Sequence, residues 1–569
     1  VLMEPIDVRR GPARALAEAL REAAIAIGAP DDFSPQVERP ADPSHGDFAS
    51  NAALVLSGRL GRPPREIAAQ LADRLDLEST GVSDASIAGP GFLNFSLSDE
   101  VLRAGLRSVL ALGDDWGRSS AEEPLRYNVE FVSANPTGPL HVAHGRGAAI
   151  GDATASLLEW TGHEVQREFY VNDAGRQIEL LGESIETRWL QARGAHLEMP
   201  QGGYQGEYIR DIARDLAEEV GDTQLEILER PERLRLLSSR AADLLRAGQE
   251  RDLADFGVHM DHWFDESSLF ATGDVEGLLD RLTESGRAYR DDGAVWLRTT
   301  DLGDEKDRVL VKSDGSHTYF VSDIAYHLDK AERGFQRAID VWGADHHGHV
   351  PRMQAALSSL GLAGHFLEVL LIQLVTVMRG GEEVRMSKRA GQFVSLRDLF
   401  EETGSDVARY FFLMRRAEVP MTFDLDLALD TSDANPVYKV QYAHARMCSV
   451  FRRGDVDPGR LVLTDGDIAA LGSGTERLVL MTVLRFPERV RAAARARAPY
   501  QICSYLEELA SAVNAWYHEG NLDPSRRLLA EGPSRPVRLG LARAVQLTLG
   551  AGLRLLGISA PERLEREGE

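Results

Sequence analysis

A glycine-rich loop between a short strand and a helix is the feature that most restricts the fold of this chain. The segment YNVEFV (Tyr127–Val132) predicts a buried strand, AAIGDATASLLEW predicts a helix that ends at Thr161-Gly162, and HEVQREFYV predicts a second strand. Between the first two lies ANPTGPLHVAHGRGAAIGD (Ala134–Asp152). In such a unit the helix N-terminus offers free N–H groups and a positive dipole end to a phosphate. The pattern favours a nucleotide ligand, although an ordinary loop-to-helix turn has a similar composition.

The rest of the chain divides into three parts around this unit. Residues 1–100 predict an α+β module, with two amphipathic helices and two strands around a Gly-Pro-Gly turn. Strands and helices alternate over residues 122–435, as in a parallel α/β core, with an acidic helical insertion at about 190–270. Residues 436–569 lack strand signals and predict an all-α helical bundle with one shared apolar face, formed in part by Leu506, Leu509, Val513 and Trp516.

Composition limits the classes of protein to which the chain could belong. Nothing approaches the run of about 20 apolar residues that a membrane span needs, and VLMEPIDVRR lacks the apolar segment of a signal peptide. The two cysteines, Cys448 and Cys503, form neither a disulfide framework nor a zinc site. Adjacent histidines in GADHHGH (Gly343–His349) rarely converge on one ion, so no structural metal is expected. These features predict a cytoplasmic protein without a membrane partner.

The distribution of charge bears on nucleic-acid binding. The net charge of −25 argues against a broad nucleic-acid surface, but the segment from Gln441 onward carries +3, and all its cations are arginines. Arginine offers a planar fork of donors that suits phosphates and bases. Any nucleic-acid footprint is therefore expected to be local.

A second candidate phosphate loop lies in GGEEVRMSKRAGQFVSL (Gly380–Leu396). A Gly-Gly turn leads into three cations within five residues, Arg385, Lys388 and Arg389. A lysine in such a loop can neutralise charge on a transferring phosphoryl group and on departing pyrophosphate. The alternative is a solvated basic turn.

Together, the two loops resemble the paired ATP motifs of class I aminoacyl-tRNA synthetases, whose first motif opens the first helix of a Rossmann fold. More specifically, the chain is similar to arginyl-tRNA synthetases of the bacterial type. The resemblance rests on long segments in the same order: HGDFASNAAL, GPGFLNFSLS, VEFVSANPTGPLHVAHGRGAAIGD, YVNDAGRQIELLGES, YQGEYI, WGADHHGHVPR, RMSKRAGQFVSL, DVARYFFLMR and NPVYKVQYAHAR. It implies that ATP activates L-arginine to arginyl-adenylate and that arginine then passes to the 3′ end of its tRNA. It also implies a monomer, with Mg²⁺ only as the counter-ion of ATP.

The resemblance assigns catalytic roles to His141, His144 and Lys388. The implied ATP-binding residues are Pro139, His141, Ala143, His144, Gly145, Gly147, Met386, Ser387 and Lys388. Two departures stand out: Ala143 replaces the glycine of the usual His-x-Gly-His motif, and Arg385 and Arg389 flank the retained Met-Ser-Lys. We expect the Ala143 methyl group to weaken ATP binding modestly.

A guanidinium substrate calls for a carboxylate that can receive it in planar, preferably bidentate fashion. The resemblance assigns arginine binding to Glu130, Ser133, Asn135, Tyr319 and Asp323. Glu130 could instead order the loop, and the Tyr319–Asp323 pair could instead be a strand end and a helix N-cap.

The bundle supplies candidates for tRNA binding: Tyr438, Tyr442, Arg446, Arg491 and Arg495. The tyrosines could stack on bases or pack between helices, and each arginine could belong to a solvated helix face. Two other functions remain open from the residues: a nucleotidylyltransferase with a similar histidine loop, and a paralogue that holds tRNA without chemistry.

Overall fold

The computed structural model describes residues 12–40, 42, 45–384, 394–472 and 474–564. Its N-terminal part packs helices on a small antiparallel sheet of strand order β1-β3-β2. The predicted pair of strands around the Gly-Pro-Gly turn is confirmed, and Gly91 in that turn has φ +142°. The elements are α1 (Pro12–Ala26), β1 (Phe48–Ser50), α2 (Ala52–Leu60), α3 (Pro64–Ala72), α4 (Leu77–Thr80), β2 (Val82–Ala88), β3 (Phe92–Leu97) and α5 (Asp99–Leu112).

The central part begins with the strand–loop–helix–strand unit that the sequence predicts. The helix ends at Trp160, and Gly162 beyond it has φ +89°, which confirms the predicted C-terminal signal. The elements of this unit and of the helices that follow are β4 (Arg126–Glu130), α6 (Val142–Trp160), β5 (Glu164–Val171), α7 (Arg176–Ala192), α8 (Glu207–Val220), α9 (Asp222–Ile227) and α10 (Arg230–Asp255).

The helices α7 to α10 form the inserted segment that the sequence predicts at about 190–270. In the structure this helical segment runs from Arg176 to Asp255 and has its own apolar core, which includes Leu181, Trp189 and Leu216. The next strand, β6 (His262–Asp265), already pairs with β5. A four-residue strand is too short to give a clear periodic signal, which is why the sequence places it within the helical stretch.

The remaining elements of the central part complete a five-stranded parallel sheet and two small three-stranded sheets, β7-β8-β9 and β13-β12-β14. These elements are α11 (Glu266–Ala271), α12 (Asp274–Glu284), β7 (Ala288–Asp291), β8 (Ala294–Leu297), β9 (Arg308–Val311), α13 (Tyr319–Glu332), β10 (Arg337–Gly343), α14 (Val350–Ser359), β11 (Leu367–Ile372), β12 (Val375–Arg379), β13 (Glu382–Glu383), α15 (Leu396–Thr403), α16 (Ser405–Leu413), β14 (Met421–Asp424) and α17 (Leu425–Ala428).

The strand order β11-β10-β4-β5-β6 identifies where this sheet binds a ligand. From β4 the chain proceeds to β5 and β6 on one side, and then returns to place β10 and β11 on the other side. The order therefore reverses between β4 and β10. In open parallel sheets, the crevice at the carboxyl ends of the strands beside such a reversal is the usual ligand site. The histidine loop follows β4 directly and so lies at this crevice.

The C-terminal part is a helical bundle, as predicted, and among residues 436–472 and 474–564 it contains no strand. Leu506, Leu509, Val513 and Trp516, which the sequence places on one face, are all buried. Within the described ranges, no helix is both long and apolar enough to cross a membrane. The helices are α18 (Pro436–Gly454), α19 (Asp465–Ala469), α20 (Thr475–Leu484), α21 (Phe486–Ala496), α22 (Tyr500–Leu522) and α23 (Arg535–Leu555).

Candidate functional site

The loop after β4 begins with a strained backbone. Val132 has φ +72° and Ser133 has φ +42°, a left-handed conformation that residues other than glycine rarely adopt. Side-chain contacts hold it: the Ser133 hydroxyl donates to Glu130 Oε1 (2.8 Å), and the backbone N–H of Tyr170 on β5 donates to Ser133 Oγ (3.2 Å). Strain of this kind persists where the surrounding structure fixes it, and it clusters at functional sites. No signal in the sequence marks it.

The loop leads into α6, whose first turn carries the histidine pair. The rings of His141 and His144 stack with centroids 3.7 Å apart, and the His141 backbone N–H donates to His144 Nδ1 (3.2 Å). Since Nδ1 accepts this bond, the proton of the neutral His144 ring lies on Nε2. The two rings therefore lie at the N-terminus of a long buried helix, where the backbone N–H groups and the helix dipole favour an anion.

Both histidines line a cavity of about 930 Å³. One wall is the loop and helix start: Ala134, Asn135, Thr137, Gly138, Pro139, His141 and His144. The other wall belongs to the inserted segment: Gln177, Leu180, Gln201, Gly202, Gly203, Tyr204, Gln205, Gly206 and Tyr208. The sequence predicts a role for the first wall but not for the second, because the second wall lies about 35 to 70 residues further along the chain in segments that carry no phosphate motif.

The glycines after His144 serve close packing in this structure. A Cβ at Gly145 would lie 2.5 Å from Leu396 Cδ1 and 3.1 Å from Phe412, and one at Gly147 would lie 3.3 Å from Ile372. The missing side chain of Gly145 thus lets α6 approach α15 and α16, which follow the second loop, and that of Gly147 lets it approach β11, which precedes the loop. A role for these glycines, or for the half-buried Ala143, in contacting a nucleotide stays a prediction.

The second predicted phosphate loop lies largely outside the described residues, and this includes Met386, Ser387 and Lys388. The chain beyond it is placed, however. Ser395 forms an antiparallel bridge with His141, and the Leu396 backbone N–H donates to Leu140 O (2.8 Å). The chain that leaves the Met-Ser-Lys loop therefore returns beside the histidine pair.

Three of the candidate arginine ligands lie in two places: Tyr319 and Asp323 on α13, and Asn135 in the loop after β4. Tyr319 is 63% exposed and begins α13, so the pair lies within one helix rather than at a strand end. One turn later, Asp323 Oδ2 lies 2.9 Å from His349 Nε2. Burial first, and then the nearby charges of Glu266, Asp323 and Glu130, raises the pKa of Tyr170. Asn135 instead faces the cavity and donates to Gln177 Oε1 (2.7 Å).

Glu266 is a candidate that the sequence analysis missed. It is the first residue of α11, directly after β6 at the carboxyl edge of the sheet, and it is only 5% exposed. Burial, together with the nearby charges of Asp323 and Asp173, raises the pKa of Glu266. Among the described residues no salt bridge joins Glu266 to a lysine or arginine. An acidic residue directly after a strand of the sheet would indicate such a site, but the sequence places the four residues of β6 within the helical insertion.

Glu130 has partners for both of its carboxylate oxygens. Oε1 accepts from Ser133, and Oε2 accepts from the buried Lys330 ammonium (2.7 Å), which also donates to Asp340 (2.9 Å). Asp340 in turn lies 2.8 Å from His327. Burial raises the pKa of Glu130, and the burial is offset only in part by Lys330. These contacts favour the loop-ordering alternative for Glu130.

The predicted tRNA-binding residues lie in the bundle. Tyr438 is buried and stacks on Tyr442, one turn later on the same helix α18, with centroids 5.9 Å apart, and base stacking by these tyrosines stays a prediction. Arg446 lies over the rings of Tyr442 (4.6 Å) and Tyr517 (4.4 Å). The other two candidates, Arg491 and Arg495, lie on α21. The residues described here contain no group of three or more side chains able to hold a metal ion.

The comparisons with known proteins agree with this arrangement. The catalytic-domain model of class I tRNA synthetases (R) matches residues 106–416, the DALR anticodon-binding domain matches residues 440–564, and the arginyl-tRNA synthetase N-terminal domain matches residues 13–97. The fold is thus that of a class I aminoacyl-tRNA synthetase, and the cavity lies within the part of the chain that matches its catalytic domain.

Individual relatives narrow this class. The chain is 44% identical to the arginine–tRNA ligase of Bacillus licheniformis over 553 residues, which cover 96% of this chain and 98% of that protein. The ligase of Bacillus subtilis is also 44% identical over 553 residues, with the same coverage. The structure of Thermus thermophilus arginyl-tRNA synthetase aligns with a TM-score of 0.77 at 25% identity, over 97% of this chain and 100% of that one. The chain belongs to the arginyl-tRNA synthetase family.

Proposed function

We propose that this chain ligates L-arginine to its tRNA with ATP as co-substrate. In the first step an arginine carboxylate oxygen attacks the α-phosphorus of ATP, the bond to the β-phosphate breaks, and pyrophosphate leaves. In the second step a ribose hydroxyl at the 3′ end of the tRNA attacks the arginyl carbonyl, and AMP leaves. Neither step needs a covalent enzyme intermediate, so the protein positions the reactants and stabilises charge.

The observation that carries the proposal is the stacked His141–His144 pair at the N-terminus of α6, facing the cavity. Imidazole donors and helix N–H groups at one place suit the negative charge that develops on the α-phosphate. Lys388, with Met386 and Ser387, is assigned to the leaving pyrophosphate by resemblance alone. The bridge between His141 and Ser395 supports it, since the second loop ends at the first.

Specificity for arginine would come from two acids that lie near one another, Asp323 and the buried Glu266. Among the described residues neither acid forms a salt bridge with a lysine or arginine, and Asp323 Oδ2 lies 2.9 Å from His349 Nε2. A buried carboxylate without a cation is costly, and a guanidinium ligand would remove that cost. Tyr319, Ser133 and Asn135 remain proposed ligands of the rest of the substrate. Mg²⁺ as the counter-ion of ATP, a monomeric state and a cytoplasmic location are part of the same proposal.

The test is arginine-dependent exchange of pyrophosphate into ATP, run with each amino acid and with or without tRNA. Exchange with arginine alone, and only with tRNA present, is the expected result, since the family resemblance implies that tRNA completes the site. Exchange without tRNA would keep the enzyme and remove that dependence. Absence of exchange with every amino acid while tRNA still binds would identify a binding paralogue instead.

A pair of variants tests the arginine site within the same assay. Asp323→Asn is expected to raise the KM for arginine by about a hundredfold or more, because the desolvated guanidinium then loses one of its two acidic partners. Asp280→Asn changes an exposed acid on α12 and serves as the matched control. Equal kinetics for the two variants would contradict the assignment of Asp323.

A further inference from the structure

The backbone of the loop before His141 is held by the inserted helical segment. Three of its carbonyl oxygens accept hydrogen bonds from side chains of that segment. Gln249 Nε2 on α10 donates to Asn135 O (3.0 Å) and to Gly138 O (2.9 Å), and the Tyr208 hydroxyl on α8 donates to Thr137 O (2.9 Å). We call these three bonds the loop clamp. Tyr208 lies in YQGEYI, one of the segments that carry the family resemblance, whereas no motif in the sequence marks Gln249.

Gln249 matches this contact in its burial and its donor groups. It is only 2% exposed, and a side-chain NH₂ group has two hydrogens, which match its two carbonyl partners. A buried amide without such partners would cost more free energy than an apolar residue at the same position. The presence of glutamine at a buried position of α10 is therefore explained by the loop that it holds.

Tyr208, on α8, is likewise suited to its bond with the loop backbone. Burial raises the pKa of its hydroxyl, which keeps it protonated as a donor. A Cβ at Gly138 would lie 3.1 Å from the Tyr208 hydroxyl oxygen, and a Cβ at Gly206 would lie 2.4 Å from the Tyr208 ring. Glycine at both positions lets the tyrosine reach the loop. Two helices of the insertion thus converge on four residues of backbone.

We propose that Gln249 and Tyr208 are positioning residues for ATP binding. Their side-chain donors fix the backbone of residues 135–138, and this backbone sets the entry into α6 and so the placement of His141 and His144. The inference rests on the proposed function, because it concerns the same cavity. It adds that the inserted segment, which also forms the second wall, controls the geometry of the nucleotide loop.

The experiment measures the Kd for ATP by equilibrium dialysis, with pyrophosphate exchange as a second readout. Gln249→Leu keeps a similar volume and removes both donors, whereas Tyr208→Phe removes only the hydroxyl. We expect the Kd for ATP to rise about tenfold or more in Gln249→Leu and about threefold to fivefold in Tyr208→Phe, since each lost bond leaves a loop carbonyl without its partner. The double variant is expected to fall short of the product of the two effects, because both side chains hold one loop.

Matched controls lie in the bundle, far along the chain from the cavity. Tyr505 donates its hydroxyl to Thr482 O (2.9 Å), and Gln441 donates its amide to Asp406 (2.9 Å) and Ser559 O (3.1 Å). Tyr505→Phe and Gln441→Leu therefore remove the same chemistry elsewhere, and they are expected to change the melting temperature but not the Kd for ATP.

The outcomes separate the two proposals. An unchanged Kd for ATP in Gln249→Leu and Tyr208→Phe, or an equal change in the two controls, overturns the clamp as a positioning device. Failure of the unmodified chain to exchange pyrophosphate with arginine overturns the proposed function, and the dialysis result still decides the clamp. If Gln249→Leu fails to fold, Tyr208→Phe, which keeps the ring and its packing, carries the test alone.

Discussion

Arg409 joins the α/β core to the helical bundle. Its contacts allow the loss of stability on its removal to be estimated. Its side chain is 1% exposed. The guanidinium donates to Asp152 Oδ2 on α6 (2.5 Å), to Leu556 O after α23 (3.0 and 3.2 Å), and to Phe256 O (3.3 Å) and Gly257 O (3.2 Å) after α10. One side chain on α16 therefore connects α6, the end of the inserted segment and the end of the bundle.

Arg409→Leu would leave Asp152 buried with only Arg167 opposite it (2.8 Å), and three carbonyl groups without this donor. Breaking one partner of a buried ion pair costs about 3–5 kcal/mol, and we take the lower end because Arg167 remains. About 3 kcal/mol corresponds to a more than hundredfold rise in the equilibrium constant for local opening. Burial alone would raise the pKa of Asp152, but Arg409 and Arg167 together lower it, which agrees with a net attraction.

Hydrogen exchange of backbone amides in α6 and α23 measures this opening directly. We expect both helices to lose more than a hundredfold of protection in Arg409→Leu, while Arg460→Leu, which changes an 89% exposed side chain, leaves them as in the unmodified chain. Adding Asp152→Asn to Arg409→Leu removes the buried charge that was left behind, so the double variant is expected to be less destabilised than the sum of the single variants. Protection within twofold of the unmodified chain in Arg409→Leu would refute the reasoning.

Three further predictions concern single side chains. Ala143→Gly is expected to lower the Kd for ATP, measured by dialysis, by about threefold, because one methyl contact is worth less than about 1 kcal/mol. The same change is expected to lower the melting temperature, because glycine is unfavourable within a helix. Burial alone would raise the pKa of Glu168, but Arg333 leads the groups that hold it well below its usual value. Its contribution to stability is therefore complete above the usual glutamate pKa of about 4.3 and is lost as the pH falls toward the lower folded-state pKa. The difference in urea midpoint between Glu168→Gln and the unmodified chain should therefore stay constant from pH 7 to about pH 5 and shrink from there to pH 3, and a constant difference over the whole range would contradict this. Burial raises the pKa of both Cys448 and Cys503, so a thiol reagent at pH 7 should label neither in the native chain and both in urea.

Local signals in the sequence predict much of this fold. The buried strand near Tyr127, the glycine-rich loop and the Thr161-Gly162 stop are each predicted from residues close together in the chain, and the structure has a strand over Arg126–Glu130 and a helix that ends at Trp160. The apolar face of α22 is likewise a matter of helical spacing. The four residues of β6 carry too little periodicity to predict a strand, and without that strand nothing in the sequence places Glu266 at the carboxyl edge of the sheet.

The contacts that hold the site are a different kind of problem, because their partners are far apart in the chain. Gln249 meets its two carbonyls across 111 and 114 residues, and Arg409 meets Asp152 across 257 residues. A glutamine or arginine on a helix is usually expected to be solvated, and only the folded structure shows that it has a buried partner. A motif marks side chains that face a ligand, since their type and spacing follow from its chemistry. Side chains that hold the motif in place can be identified only from the fold. In this chain they come from the insertion and from α16, the second helix after the second loop. Variation in those two segments should therefore alter ATP binding even where every residue of both ATP motifs is unchanged.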